Sequence, residues 1–164
     1  MASGVARTRT GAPEETADLA QAGARLRPLR DALTAIVDAD SNAYQGVIAA
    51  MRLPKASDEE RAARSEAIQA AMRTATETPL QTMRLSQQAL HGAVTVAANC
   101  TPNAVTDVAV AIELLATVVR GAGLNVDTNL PGLKDTVFVQ RIRDERTLLE
   151  AEALADAGQA RAAL

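Results

Sequence analysis

The stretch LAQAGARLRPLRDALTAIVDADSNAYQGVIAAM, Leu19 to Met51, decides the fold class. Its apolar residues fall at Leu19, Ala22, Leu26, Leu29, Leu33 and Ile36, in alternating steps of three and four, which is the period of one face of an α-helix. The next step lands on Asp40, and the stripe resumes at Tyr44, Val47 and Met51. The pattern therefore aims a carboxylate at the same side as the leucines. Unpaired on a buried face, that group is costly, so either the fold satisfies it or a ligand does.

Working outward, a first helix is expected from about Glu14 to Arg52, bent near Pro28, where the ring removes a backbone donor. Residues 1–13 read as a short polar lead-in or helix remnant, and 14–164 as one helical domain. Leu53-Pro54-Lys55-Ala56 ends the first helix, and Ser57-Asp58-Glu59-Glu60 has the form of a capping box that starts the second. The second helix is expected to reach Thr78, with Pro79 either kinking it or opening a third that ends near Asn99. Gln87 interrupts the apolar stripe of that third segment.

A fourth helix, about Asn103 to Gly121, is apolar on two sides, with Val108, Ile112 and Val119 on one and Val110, Leu114 and Val118 on the other, as a central helix would be. Gly121, Gly123, Pro131 and Gly132 bracket an expected loop holding Asn125 and Asn129, and a fifth helix follows from about Leu133 to Ala157. No sustained alternation of period two appears. The class is all-α: about five helices in an irregular bundle.

Composition narrows the function. The 164 residues are 48% apolar, yet Tyr44 and Phe138 are the only aromatics, so stacking platforms for single-stranded nucleic acid are absent. A net charge of −3, from interleaved acids and bases, gives no general attraction to nucleic acid or anionic membranes. One cysteine, Cys100, and one histidine, His91, supply neither an internal disulfide nor a cluster of zinc ligands, and no metal is expected. No run of about 18 apolar residues offers a membrane span. With no signal-peptide pattern at the start, a cytoplasmic setting is the expectation.

Asp107 repeats the oddity of Asp40. It shares a side with Val110, Ala111 and Leu114, one turn after Asn103, although an acid in a first helical turn is also favoured by the macrodipole. Lys55, Arg61 and Arg64 flank the break between the first two helices, where solvated charge is the simpler reading and an anion-binding role the other. His91 reads as a surface residue. Cys100 is weak evidence for a nucleophile.

The order of several short motifs then carries a resemblance. Asp40-Ser41-Asn42-Ala43-Tyr44, Leu53-Pro54-Lys55, Glu59-Glu60-Arg61, Ala67-Ile68-Gln69, Pro79-Leu80, Asn103-Ala104-Val105-Thr106-Asp107 and Leu124-Asn125-Val126 with Asn129 resemble the cyclodeaminase/cyclohydrolase family of folate one-carbon enzymes. The resemblance implies an all-helical fold that pairs into homodimers. It implies a tetrahydrofolate derivative as substrate, no tightly bound cofactor, and action on the carbon carried by N5 and N10, as methenyltetrahydrofolate cyclohydrolase or formiminotetrahydrofolate cyclodeaminase.

On this resemblance Asp107 and Asp40 are the catalytic candidates, Asn103 and Asn125 orient the substrate, and Lys55 faces its glutamate tail. Family members usually begin with a Pro-Thr-Pro-Gly-Gly-Gly type segment leading into an apolar helix. Met1 to Val5 resembles the tail of that helix, so the chain is expected to lack most of it, and Cys100-Thr101 stands where a Gly-Asn pair is more usual. A non-catalytic helical dimer derived from the fold is the alternative.

Overall fold

The computed structural model describes residues 10–164, and Met1 to Val5 lie outside the described residues. Four long α-helices make the fold: α1 (Pro13–Met51), α2 (Asp58–Asn99), α3 (Val105–Asn129) and α4 (Thr136–Ala163). Short 3-10 turns, Pro102–Ala104 and Leu130–Gly132, precede and follow α3. At 1.5 Å per residue the 42-residue α2 is about 63 Å long. It is the organising element, packed against α1 along one flank and against α3 and α4 along the other.

The capping box forms as the sequence predicts. Ser57 Oγ accepts from the Glu60 amide at 3.1 Å, and the Glu60 carboxylate accepts from the Ser57 amide at 3.2 Å, so donors at the start of α2 are satisfied in both directions. Arg64 then donates from Nε and Nη2 to the carbonyl of Met51, closing the end of α1, and Arg61 donates to the carbonyls of Lys55 and Ala56. Both arginines are thereby engaged in shaping the α1–α2 turn.

Three expectations are corrected. The segments before and after Pro79 are one continuous helix, which gives four helices rather than five. The region of Gly121 and Gly123 is not a loop, because α3 continues to Asn129. Gly123 is buried within that helix, where a Cβ would make ordinary van der Waals contact, 3.5 Å from Met83 Cε and 3.4 Å from the Arg146 guanidinium. Finally, α3 is not the central helix. Its Val108, Ile112, Val119 and Val126 side is buried, while Val110, Leu114 and Val118 face outward.

The core holds Leu80, Met83 and Leu90 of α2, Val108, Ile112, Val119 and Val126 of α3, and Ile142 and Leu149 of α4. Between these, alanines such as Ala93, Ala97, Ala153 and Ala157 allow close approach of the helices. Gly92 does the same for α1, since a Cβ there would stand 2.9 Å from Leu26 Cδ2. On the surface of the α2–α4 pair, Arg84 Nε donates to Glu145 at 2.5 Å and Arg141 bridges Glu77 and Glu145. The Arg84 hydrogen bond holds the Glu145 carboxyl below the usual range. Gln87, the interruption in the apolar stripe, donates to the buried Asp156 of α4 at 3.1 Å, and exposed His91 faces the same carboxylate at 3.4 Å.

The α3–α4 turn is clamped onto the first half of α2. Gln69 donates to the carbonyl of Gly132 at 2.9 Å and accepts from the Lys134 amide at 2.8 Å, while Lys134 Nζ reaches Ser65 Oγ at 3.0 Å. Asp135 caps α4 by accepting from the amides of Val137 and Phe138 and pairs with Arg73 at 2.6 Å. Those donors, the Phe138 amide first, hold its carboxyl below the usual range. This clamp fixes the end of α3, and with it the functional residues described next.

Candidate functional site

Three helical stripes converge on one polar cavity of about 300 Å³. Asp40, Ala43, Tyr44 and Val47 come from α1, Met72, Ala75 and Pro79 from α2, and Asn125, Thr128 and Asn129 from the end of α3. Each set is spaced by three or four residues or their sum, so each occupies one face of its helix. The volume is at the lower end of small-molecule sites.

The expected burial of Asp40 is overturned: the residue is exposed, as is Tyr44 at 62%. In this half of α1 the buried residues are Ala43, Val47 and Ala50, one position off the expected face at two of three places. Helix contact here is made by small residues, while a stripe read from hydrophobicity follows the larger Tyr44 and Met51. Asp40 nonetheless lines the cavity with Asn125, so the structure brings these two candidates together.

The other candidates do not join them. Asn103 and Asp107 stand exposed at the opposite end of α3. Eighteen residues separate Asp107 from Asn125 along one helix, roughly 27 Å at 1.5 Å per residue. The meeting of the Asn103 and Asn125 regions around both aspartates is therefore not observed within one chain, for the plain reason that the segment between them is helical. Lys55 is exposed in the α1–α2 turn and does not line the cavity.

Sequence reasoning missed the part Asn129 plays. A proline inside a helix has no N–H for the carbonyl four residues earlier. For Pro79 that carbonyl belongs to Ala75, and Asn129 Nδ2 donates to it at 2.8 Å from 54 residues away. Thr128 is occupied locally, its hydroxyl donating to the Leu124 carbonyl at 2.9 Å. The signal was present in the sequence as Pro79 and Asn129, but nothing local connects them.

The cavity lining carries one carboxylate, two carboxamides and a phenol, with no lysine, arginine or histidine. It can accept hydrogen bonds, stabilise positive charge and relay a proton through Asp40. Among the described residues no three histidine, cysteine, aspartate or glutamate side chains gather to hold a metal ion, and no helix is long and apolar enough to cross a membrane.

An all-α bundle with a small acceptor-lined cavity between three helices matches known proteins closely. The chain belongs to the formiminotransferase-cyclodeaminase family, whose profile matches residues 1–147. It is 38% identical over 143 residues to the methenyltetrahydrofolate cyclohydrolase of Methylorubrum extorquens, covering 86% of this chain and 69% of that protein. It is 37% identical over 122 residues to the formimidoyltransferase-cyclodeaminase of Rattus norvegicus, covering 74% of this chain and only 22% of that much longer protein. In fold, all of the chain superposes on 78% of the formiminotetrahydrofolate cyclodeaminase of Thermotoga maritima, with a TM-score of 0.85 at 20% identity.

Proposed function

We propose that this chain is a folate one-carbon enzyme that acts on the carbon carried between N5 and N10 of tetrahydrofolate, with the Asp40–Asn125 cavity as the place where that carbon is processed. The observation that carries the reading is the convergence of Asp40, Tyr44, Pro79, Asn125 and Asn129, drawn from three separate family-like motifs, on one cavity. Family membership supports the substrate class.

The chemistry fits the lining. In the cyclohydrolase reaction water adds to the cationic methenyl carbon, its proton leaves to a base, and the tetrahedral carbon opens by breaking one C–N bond to give the formyl product. Asp40 is the base in this reading: its carboxylate opposes the positive charge, takes one proton from the attacking water and passes it to the departing nitrogen, while the remaining hydroxyl proton leaves to solvent as the formyl C=O forms. Asn125 orients the pterin. In the cyclodeaminase reaction N10 attacks the N5 formimino carbon and ammonia leaves, and the same carboxylate serves both proton transfers.

Asp107 and Asn103 keep a role only in an assembly that seats the start of α3 of one chain against the cavity of another, whereas Lys55, in the α1–α2 turn, keeps its expected role toward the glutamate tail outside the cavity. The proposed homodimer is such an assembly. The test is absorbance decay of methenyltetrahydrofolate with wild type, Asp40→Asn and Asp107→Asn. Turnover that survives Asp40→Asn removes Asp40 from the mechanism. Turnover unchanged in Asp107→Asn confines the chemistry to the cavity of one chain.

A second reading, a non-catalytic helical dimer, draws on a different observation. An apolar groove of about 590 Å³ runs between α1, α2 and α3, lined by Leu29, Leu33, Val37, Ala93 and Leu114 among others. Its rim is continuous with exposed Val110 and Val118. Absence of turnover for both folate substrates, together with a dimer in sedimentation, would establish this reading over the first.

A further inference from the structure

The carbonyl freed by Pro79 has a consequence for what the cavity recognises. Ala75, Pro79 and Asn129 all line it, and Asn129 reaches the Ala75 carbonyl through Nδ2 at 2.8 Å. The orientation of this carboxamide follows from chemistry, since turning it over would set two oxygens against each other and leave the buried end of a carbonyl without a donor. One Nδ2 hydrogen is committed to that carbonyl, and the acceptor Oδ1 accepts no hydrogen bond from any described side chain or free amide. Across the cavity Asp40, as a carboxylate, is likewise an acceptor, and the lining has no cationic side chain.

We infer that Asn129 is a positioning and specificity-determining residue: pinned to the carbonyl that Pro79 orphans, it presents Oδ1 to the cavity, which selects an N–H-bearing or cationic group. Resting on the folate reading given above, this assigns the nitrogen-rich pterin end to the cavity. The anionic glutamate tail stays outside it. An anionic group at this position would be opposed by Asp40 and Oδ1, with only the neutral donors of Tyr44 and Asn125 and no cation in the lining to offset them.

The proline makes the two halves of the inference separable. In Pro79→Ala the new backbone N–H serves the Ala75 carbonyl, so Asn129 is no longer needed for the fold. Thermal melts of wild type, Asn129→Ala, Pro79→Ala and the double variant form a cycle. Asn129→Ala is expected to lower Tm by about 2–6 °C in the wild-type background, since 1 kcal/mol corresponds to roughly 2–4 °C for a chain of this size. In the Pro79→Ala background the loss is expected to be less than half as large. Equal losses in the two backgrounds overturn the tie.

Recognition is then read in the double variant against Pro79→Ala, both of which have the Ala75 carbonyl satisfied. KM for methenyltetrahydrofolate is expected to rise about five- to tenfold, the size of one lost hydrogen bond, with kcat less affected. An unchanged KM overturns the selective role of Oδ1 and leaves Asn129 as a structural tie. Absence of turnover in wild type with both folate substrates defeats the folate reading and the assignment of the pterin end with it. The thermal cycle needs no ligand, so it decides the tie in either case.

Discussion

Two of the openings that α1 borders differ in kind. The cavity near its C-terminal half is small, about 300 Å³, and brings Asp40, Asn125 and Asn129 together. The groove along its middle is nearly twice as large, about 590 Å³, and is walled by leucine, valine and alanine, with Arg30 and Thr34 among its few polar residues. In the first, acceptors are held by a backbone defect and a clamped turn. In the second, apolar surface is simply uncovered, and no residue of α1 from Ala24 to Asn42 is buried. One opening gathers polar side chains and the other apolar ones, although the same helix borders both.

The largest effect expected from this contrast is at Asp40. Asp40→Asn should lower turnover of methenyltetrahydrofolate by about 10²–10⁴-fold, the span of general acid–base catalysis. It should leave Tm nearly unchanged, because the side chain is exposed and has no hydrogen bond or ion pair within the described chain. A destabilised Asp40→Asn protein would mean that the carboxylate is part of the fold, and the distinction between the two openings would weaken.

Next in size is a pair of substitutions on α3, two residues apart and on opposite faces. Ile112 is fully buried and Leu114 is 61% exposed at the groove. Ile112→Ala should cost about 2–5 kcal/mol of stability, from lost transfer energy and the space left behind. Leu114→Ser should cost under about 1 kcal/mol, as surface changes do. If chemical denaturation gives Leu114→Ser a loss comparable to Ile112→Ala, the groove is covered in solution. Sedimentation of the same variant would then tell whether a second copy provides the cover.

How much of this the sequence discloses depends on the range of the interactions involved. The capping box at Ser57 and Glu60 is legible because its partners lie three residues apart and their hydrogen bonds are local. The all-α class and the starts of the major helices follow for the same reason. Pro79 is ambiguous in the sequence, because whether a proline ends a helix depends on who satisfies the carbonyl behind it. Here the answer, Asn129, lies in another helix. Gly121 and Gly123 read as loop residues by their freedom, yet both lie inside α3, which only the folded chain reveals.

Asp40 shows both the strength and the limit of periodicity. The break in the stripe marks a residue that lines the cavity, but not its burial, because alanines carry the helix contact and contribute little to an apolar pattern. The grouping of Asp40 and Asn125 has a partial basis in the sequence, through motif order. The separation of Asp107 from Asn125 has none, since it turns on residues 121–129 being helical.

The smallest expected effect is an acid response confined to the α2–α4 surface, away from both openings. The Arg84 hydrogen bond lowers the Glu145 carboxyl from its ordinary value of 4.5, and Arg84 is raised by the same contact, so both partners report an attraction in the folded state. A carboxyl whose folded value is depressed contributes stability above its unfolded value, and that contribution is lost as the pH falls through the folded value. Melts should therefore show this contribution intact at neutral pH and declining below about pH 4.5, with a smaller decline in Arg84→Ala. Because the Arg84–Glu145 pair is only part-buried, salt should reduce the difference as well. Arg84→Ala leaves every wall of the Asp40 cavity and of the apolar groove in place. If it alters turnover as strongly as it alters the acid response, the cavity is coupled to α4 through α2, and the two openings can no longer be treated as independent of that surface.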